Sequence, residues 1–251
     1  MKIAWEARGS GAPVLLVQGL GYARWGWDPV VPGLAERFRV LTFDNRGIGE
    51  SDKPDGPYTA REMAADALQV LDEAGLGRAH VVGSSLGGMI AQEVAAAAPE
   101  RVDKLVLCST TPGGPDAVPM PAVTARLLAE AATLPPEESL RRFVANALAS
   151  SAPAELVDEI YARRLANPPD PAGWQAQAIA GTTFSGVDGT ITAPTLIVHG
   201  TDDNVVDCGN AQVLAARIPG ARVDLIPGGG HLFFWEQPDV FVRIVSEFLA
   251  Q

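Results

Sequence analysis

Short runs of consecutive apolar, largely β-branched residues recur along the chain. They lie at Val14 to Val17, Val40 to Phe43, His80 to Val82, Leu105 to Leu107, Thr195 to Val198 and Arg222 to Ile226. Nearly continuous stretches of this kind are what strands buried on both faces require, as in a parallel sheet covered by helices. Segments with apolar residues at helical spacing separate them, and helices are predicted at about Pro29 to Arg37, Thr59 to Ala74, Leu86 to Ala98, Asn210 to Ile218 and Asp239 to Leu249. Thr59 followed by Glu62 forms a capping box, in which hydroxyl and carboxylate each satisfy an orphan amide. The alternation predicts an α/β fold with a mostly parallel central sheet flanked by helices.

One interval breaks this rhythm. Ten of the twenty prolines fall between Pro112 and Pro171, a density that favours short helices joined by stiff turns. Leu140, Phe143, Val144, Ala147 and Leu148 repeat at helical spacing just after Pro135-Pro136, a second helix is predicted from Ala154 to Leu165, and a third around Trp174 to Ala180. The expected organisation is therefore a helical insertion over residues 113–189, dividing a single core domain into residues 1–112 and 190–251. An ordinary connection of that length would be unusual.

Charge and composition narrow the function classes. The balance of 19 basic against 30 acidic residues, a net charge of −11, provides no footprint for a phosphate backbone, so nucleic-acid binding is not expected. Cys108 and Cys208 stand alone, and His80, His199 and His231 show no metal-ligand spacing, so no metal is expected. Gly47-Ile48-Gly49 has Asp52 where a dinucleotide fingerprint needs its third glycine, and no phosphate-binding Gly-x-x-x-x-Gly-Lys occurs. No cofactor is expected. The opening Met1 to Arg8 is charged too early for a signal sequence, and no apolar run approaches the ~18 residues that span a bilayer. These features predict a cytoplasmic protein without membrane insertion. They leave its oligomeric state open.

The strongest chemical signal is Gly83-Ser84-Ser85-Leu86-Gly87, between a predicted strand and a predicted helix. A nucleophile on such a sharp turn needs small neighbours, because its backbone is strained and the flanking chain comes close. Only Ser85 has glycine two residues away on both sides. The plain alternative is a glycine-rich turn, but the strand-turn-helix setting favours a nucleophile.

A serine hydroxyl needs a base, and the base an orienting acid. His231 follows the last predicted strand in Pro227-Gly228-Gly229-Gly230-His231. Its three glycines have no evident packing purpose and leave the loop free to reach across the sheet ends. His80 and His199 begin and end strands and read as structural. For the acid, Gly200-Thr201-Asp202-Asp203 follows a strand, and composition does not separate the two aspartates. The other position where such an acid could sit carries Cys108-Ser109-Thr110-Thr111, without a carboxylate. Gln18-Gly19-Leu20-Gly21 ends an early strand, and the amide of Leu20 joins that of Leu86 as an expected donor to a developing oxyanion. Trp25, Trp27, Phe143, Trp174, Leu232 and Phe233 are candidates for the substrate pocket, with core packing the alternative for the aromatic residues near the site.

Taken together, these pieces resemble the α/β-hydrolases over nearly the whole chain. The matching segments are Gln18-Gly19-Leu20-Gly21, Phe43 to Asp52, the Ser85 turn, His199-Gly200-Thr201-Asp202-Asp203 and Gly230-His231. The resemblance implies that Asp203, three residues beyond Gly200, is the acid. It also implies that the insertion is a cap over the site. Gln18 stands where the family usually has histidine, leaving the Leu20 amide unaffected. Ser85 to Glu93 is similar to the branch of 3-oxoadipate enol-lactonases, homoserine-lactone lactonases and small carboxylesterases. The expected activity is hydrolysis of a small-molecule ester or lactone by a serine triad. Carbon–carbon bond hydrolysis, perhydrolysis or haloperoxidation, and ligand binding with a slow triad are the alternatives. An anionic substrate would require basic cap residues, for which Arg126, Arg141, Arg142, Arg163 and Arg164 are available, with plain solvation of helix surfaces an equal explanation of them.

Overall fold

The computed structural model describes residues 1–251. Seven strands form one sheet: β1 (Trp5–Arg8), β2 (Ala12–Val17), β3 (Phe38–Phe43), β4 (Ala79–Ser84), β5 (Val102–Cys108), β6 (Thr195–Gly200) and β7 (Arg222–Ile226). Their spatial order is β1-β3-β2-β4-β5-β6-β7. Every neighbouring pair is parallel except β1 with β3, where Trp5 faces Phe43 in an antiparallel register.

Side chains alternate across the sheet plane and feed two cores. On one face Leu15, Val17, Val81 and Leu107 pack against α2 (Ala60–Glu73), α3 (Leu86–Ala97) and α8 (Asn210–Arg217). On the other, Val14, Leu16, Val82 and Val106 pack against α1 (Val31–Ala35) and α10 (Pro238–Leu249). Covering both faces explains why the central strands read as continuous apolar runs. The Thr59–Glu62 capping box starts α2 as expected, with Glu62 N donating to Thr59 Oγ1 at 3.1 Å and Thr59 N to Glu62 at 2.9 Å.

Between β5 and β6 the chain runs through α4 (Ala122–Ala131), α5 (Pro136–Asn146), α6 (Ala154–Ala166) and α7 (Pro171–Thr182). Helix α4 was not anticipated. Nor was β1, whose Glu6 and Arg8 interrupt the apolar pattern at the sheet edge. A short helix α9 (Phe233–Glu236) follows the last strand.

The strand order places one position apart from the rest. After β2 the chain moves to β3 on one side, then returns to β4 on the other. In open parallel sheets, ligands bind at the carboxyl ends of the strands where the order reverses in this way. Gln18 to Leu20 leave β2, and Ser85 leaves β4, at that point.

Candidate active site

Ser85 occupies a backbone position that side chains rarely adopt, with φ 56° and ψ −122°, between β4 and α3. The turn is fixed from several sides. Ser85 N donates to Cys108 O at 2.9 Å, while Ser85 O accepts from Gly88 N at 2.9 Å and from Thr110 Oγ1 at 2.7 Å. Its glycines are steric necessities: a Cβ on Gly83 would collide with the carbonyl oxygen of Gly87, and one on Gly87 with that of Val17. Ser85 itself is half-buried, where every residue of the strand that leads to it is buried.

The loop after β2 closes over this turn. A Cβ on Gly19 would lie 3.6 Å from Ser85 Oγ. In that loop Gly19 N donates to Gln18 Oε1 at 2.8 Å, Gly21 N to Gln177 Oε1 at 3.0 Å and Tyr22 N to Gly19 O at 3.4 Å. The amide of Leu20 has no acceptor, and neither has that of Leu86, the first residue of α3. The first amides of a helix lack internal partners and carry its positive dipole end, so α3 directs donors towards the Ser85 turn.

Asp203 and His231, 28 positions apart, meet: His231 Nδ1 lies 2.8 Å from Asp203 Oδ2. Both side chains are buried. The other carboxylate oxygen, Oδ1, accepts from Val205 N at 2.8 Å and Val206 N at 2.9 Å. Burial opposes ionisation of Asp203, but the His231 imidazole and hydrogen bonds from His199 and His231 outweigh it and hold its carboxyl below the usual carboxylate range. Asp202, in contrast, is exposed and accepts only from Thr201 Oγ1. With Nδ1 engaged, Nε2 is the nitrogen left for chemistry; no hydrogen bond joins it to Ser85 Oγ here, a bond that often tightens only when substrate is bound.

Two expectations need correction. Two of the three glycines before His231 do pack. A Cβ on Gly230 would collide with Ala149 N, one on Gly229 would lie 2.9 Å from the Cβ of Phe233, and Gly228 has φ 66°. Gly229 and Gly230 set the loop tightly against its neighbours instead of loosening it, while Gly228 is exposed with open space around it and serves only the positive φ of the turn. Among the pocket candidates, Trp27 and Phe233 have no exposed surface and belong to the core beside α10, with Trp27 4.8 Å from the Phe234 ring centroid. Leu232 is buried next to them. Trp25 and Phe143 are half-buried, and the indole edge of Trp174 covers Gly21.

Residues beyond those anticipated hold the site. Buried Gln177 of α7 bridges the Gly21 amide and Arg46 O, the latter at 2.7 Å. Glu236 accepts from Gly230 N at 2.8 Å and from Ala149 N at 2.5 Å, tying the His231 loop to the segment that follows α5. Of the five arginines considered for an anionic substrate, Arg141, Arg142 and Arg163 pair with surface carboxylates. Arg164 alone is buried, donating to Gly21 O with its guanidinium 4.6 Å from the Tyr22 ring centroid.

A family model described as the alpha/beta hydrolase fold matches residues 12–238. The chain belongs to the α/β-hydrolase fold family. It is 34% identical over 255 residues to a 2-hydroxy-6-oxononadienedioate/2-hydroxy-6-oxononatrienedioate hydrolase of Cupriavidus pinatubonensis, covering 96% of this chain and 88% of that one. Among solved structures, an esterase from Exiguobacterium antarcticum superposes with a TM-score of 0.88 at 25% identity, covering 99% of this chain and 96% of that one. The enol-lactonase of Burkholderia xenovorans does so with a TM-score of 0.83 at 26% identity, covering 99% and 96%. These α/β-hydrolases share hydrolysis and differ in the substrates named, so the chain is a hydrolase whose substrate follows from its site. No helix is long and apolar enough to cross a membrane.

Proposed function

We propose that the protein hydrolyses carboxylic esters or lactones through an acyl-enzyme on Ser85. The observation that carries this reading is the 2.8 Å bond between His231 Nδ1 and Asp203, which leaves Nε2 to act as base at the sheet end from which Ser85 projects. In the proposed sequence, His231 takes the Ser85 proton as Oγ attacks the carbonyl carbon. Asp203 orients the imidazole and stabilises its cation. The oxyanion lies between the amides of Leu20 and Leu86, each worth roughly 3 kcal/mol in the transition state. His231 then protonates the leaving alkoxide, and water releases the acid by the reverse route. Each role is filled by a protein group. Residues 113–189 act as the cap that selects the acyl chain.

A second reading, hydrolysis of a carbon–carbon bond, is favoured by the similarity to the Cupriavidus enzyme. A panel of chromogenic esters, lactones with and without a carboxylate, and vinylogous diketones separates the two. Ester and lactone turnover should exceed diketone turnover by at least tenfold in kcat/KM. The reverse order would assign the carbon–carbon reaction.

The pH dependence follows from the charge state of the pair. The depressed Asp203 carboxyl remains ionised through mildly acid pH, so it does not limit activity there. Activity requires the uncharged His231, so kcat/KM should fall on the acid side of its profile, reaching tenfold per unit of pH once the base is mostly protonated. A profile flat down to pH 4 would remove histidine as the base.

A further inference from the structure

His199, read from the sequence as structural, touches the proposed acid directly. The side chain is fully buried at the penultimate position of β6, and its Nε2 lies 3.1 Å from Asp203 Oδ2 and 3.0 Å from Val206 O. Both neighbours are acceptors, so Nε2 must carry the hydrogen. Nδ1 is buried without a partner, which leaves no other group to dictate the tautomer. The contacts form a closed circuit. His199 donates to Asp203 and to Val206 O, while Val206 N donates back to Asp203 Oδ1 at 2.9 Å.

We propose that His199 is a positioning residue that sets the basicity of His231 by donating to the same oxygen of Asp203 that His231 uses. The inference rests on the triad reading above. A carboxylate oxygen shared by two imidazole N–H groups divides its negative charge between them. Each donor weakens the attraction that the oxygen exerts on the other. Removing the His199 donor concentrates that charge on His231 and stabilises its imidazolium. The free base at neutral pH becomes scarcer. The carboxylate also loses one of its four donors and the loop restraint at Val206, so the orientation of His231 relaxes.

Other charged or titratable groups near Asp203 are Asp202, Asp207 and Cys208 on its own loop and Glu236 on α9. None donates to Oδ2, so none can replace His199. Substitution of His199 leaves these groups unchanged, and their field cancels from the comparison between variants.

The test compares three variants by kinetics across pH and by thermal melting. His199→Phe keeps a planar ring and removes both bonds. His199→Asn is too short to bring its amide to Asp203 and serves if the phenylalanine variant does not fold. His199→Gln carries an amide nitrogen near the place of Nε2. The removal variants should lose roughly 10- to 100-fold in kcat, by analogy with the loss when the partner that orients a metal-binding histidine is removed. KM should stay within about twofold, because binding is untouched. The midpoint of the acid limb of kcat/KM should rise by about half a unit to one unit. His199→Gln should restore both kcat and the midpoint. A folded His199→Phe or His199→Asn with a lower melting temperature and an unmoved acid limb would make the role purely structural and overturn the proposal. Failure of His199→Gln to restore the midpoint would do the same. Retained activity in Ser85→Ala or His231→Ala would instead overturn the triad reading, so the two failures are distinguishable.

Discussion

Ser85→Ala should reduce kcat on the best ester or lactone by about 10⁶, the loss that follows removal of a serine nucleophile, with KM little changed. The methyl group fits the space of the lost hydroxymethyl stem, and alanine at φ 56° is as strained as the serine it replaces. Folding stability is therefore expected to stay within about 1 kcal/mol of the parent. The elbow is held by backbone bonds to Cys108 O and from Gly88 N, and by Thr110 Oγ1, all acting on main-chain atoms of Ser85. None depends on the hydroxyl. A fluorophosphonate should label the parent at this residue and leave the variant unmodified, which separates loss of the nucleophile from loss of the fold. Retention of more than a few per cent of ester turnover by a folded variant would move the nucleophile elsewhere.

The sequence carried the central sheet because its strands are buried on both faces. Val14 to Val17 or Leu105 to Leu107 read as strands without any knowledge of their neighbours. It did not carry β1, because Trp5-Glu6-Ala7-Arg8 lies at an edge where charged residues face water and the strand exists through its pairing with β3. Helix α4 escaped for a related reason. It follows Pro121 without a side-chain cap, and only Thr124 and Leu127 on it are buried. Its stability comes from packing that no local pattern announces.

The candidate site shows the same division. Ser85 was legible because a strained turn imposes glycines at fixed offsets, and these are visible in one dimension. His199 was not, because its role is defined by Asp203, four residues later but brought back by the turn after β6. A histidine at a strand end, four residues before the acid, was the available signal. The aromatic residues were ambiguous in principle: Trp27 and Trp25 are two residues apart, and only the packing of Phe234 and Phe241 makes the first a core residue. The glycines before His231 misled because tight packing and freedom to move call for the same residue type.

Asp203→Asn should lower kcat by about 10⁴, the cost of holding a catalytic histidine in the wrong tautomer, although the substitution changes a single atom. The geometry determines which way the new amide faces. Oδ1 accepts from Val205 N at 2.8 Å and Val206 N at 2.9 Å, so the amide oxygen must remain there. The NH₂ group then falls at the former Oδ2, 2.8 Å from His231 Nδ1 and 3.1 Å from His199 Nε2. Facing a donor, His231 Nδ1 must become the acceptor, and the ring hydrogen moves to Nε2. That nitrogen can no longer take the proton of Ser85. On the opposite side the amide meets the His199 Nε2–H donor to donor, a conflict costing roughly 1–3 kcal/mol, or about 2–10 °C in melting temperature for a chain of this size. Asp202→Asn is the control. Its carboxylate is exposed and bonded only to Thr201 Oγ1, so activity and stability should remain within twofold and about half a kcal/mol of the parent. Combined with Ser85→Ala, Asp203→Asn should add almost nothing, because groups that act as one unit fail together. A folded Asp203→Asn protein within tenfold of the parent, or an Asp202→Asn protein that loses as much, would reassign the acid.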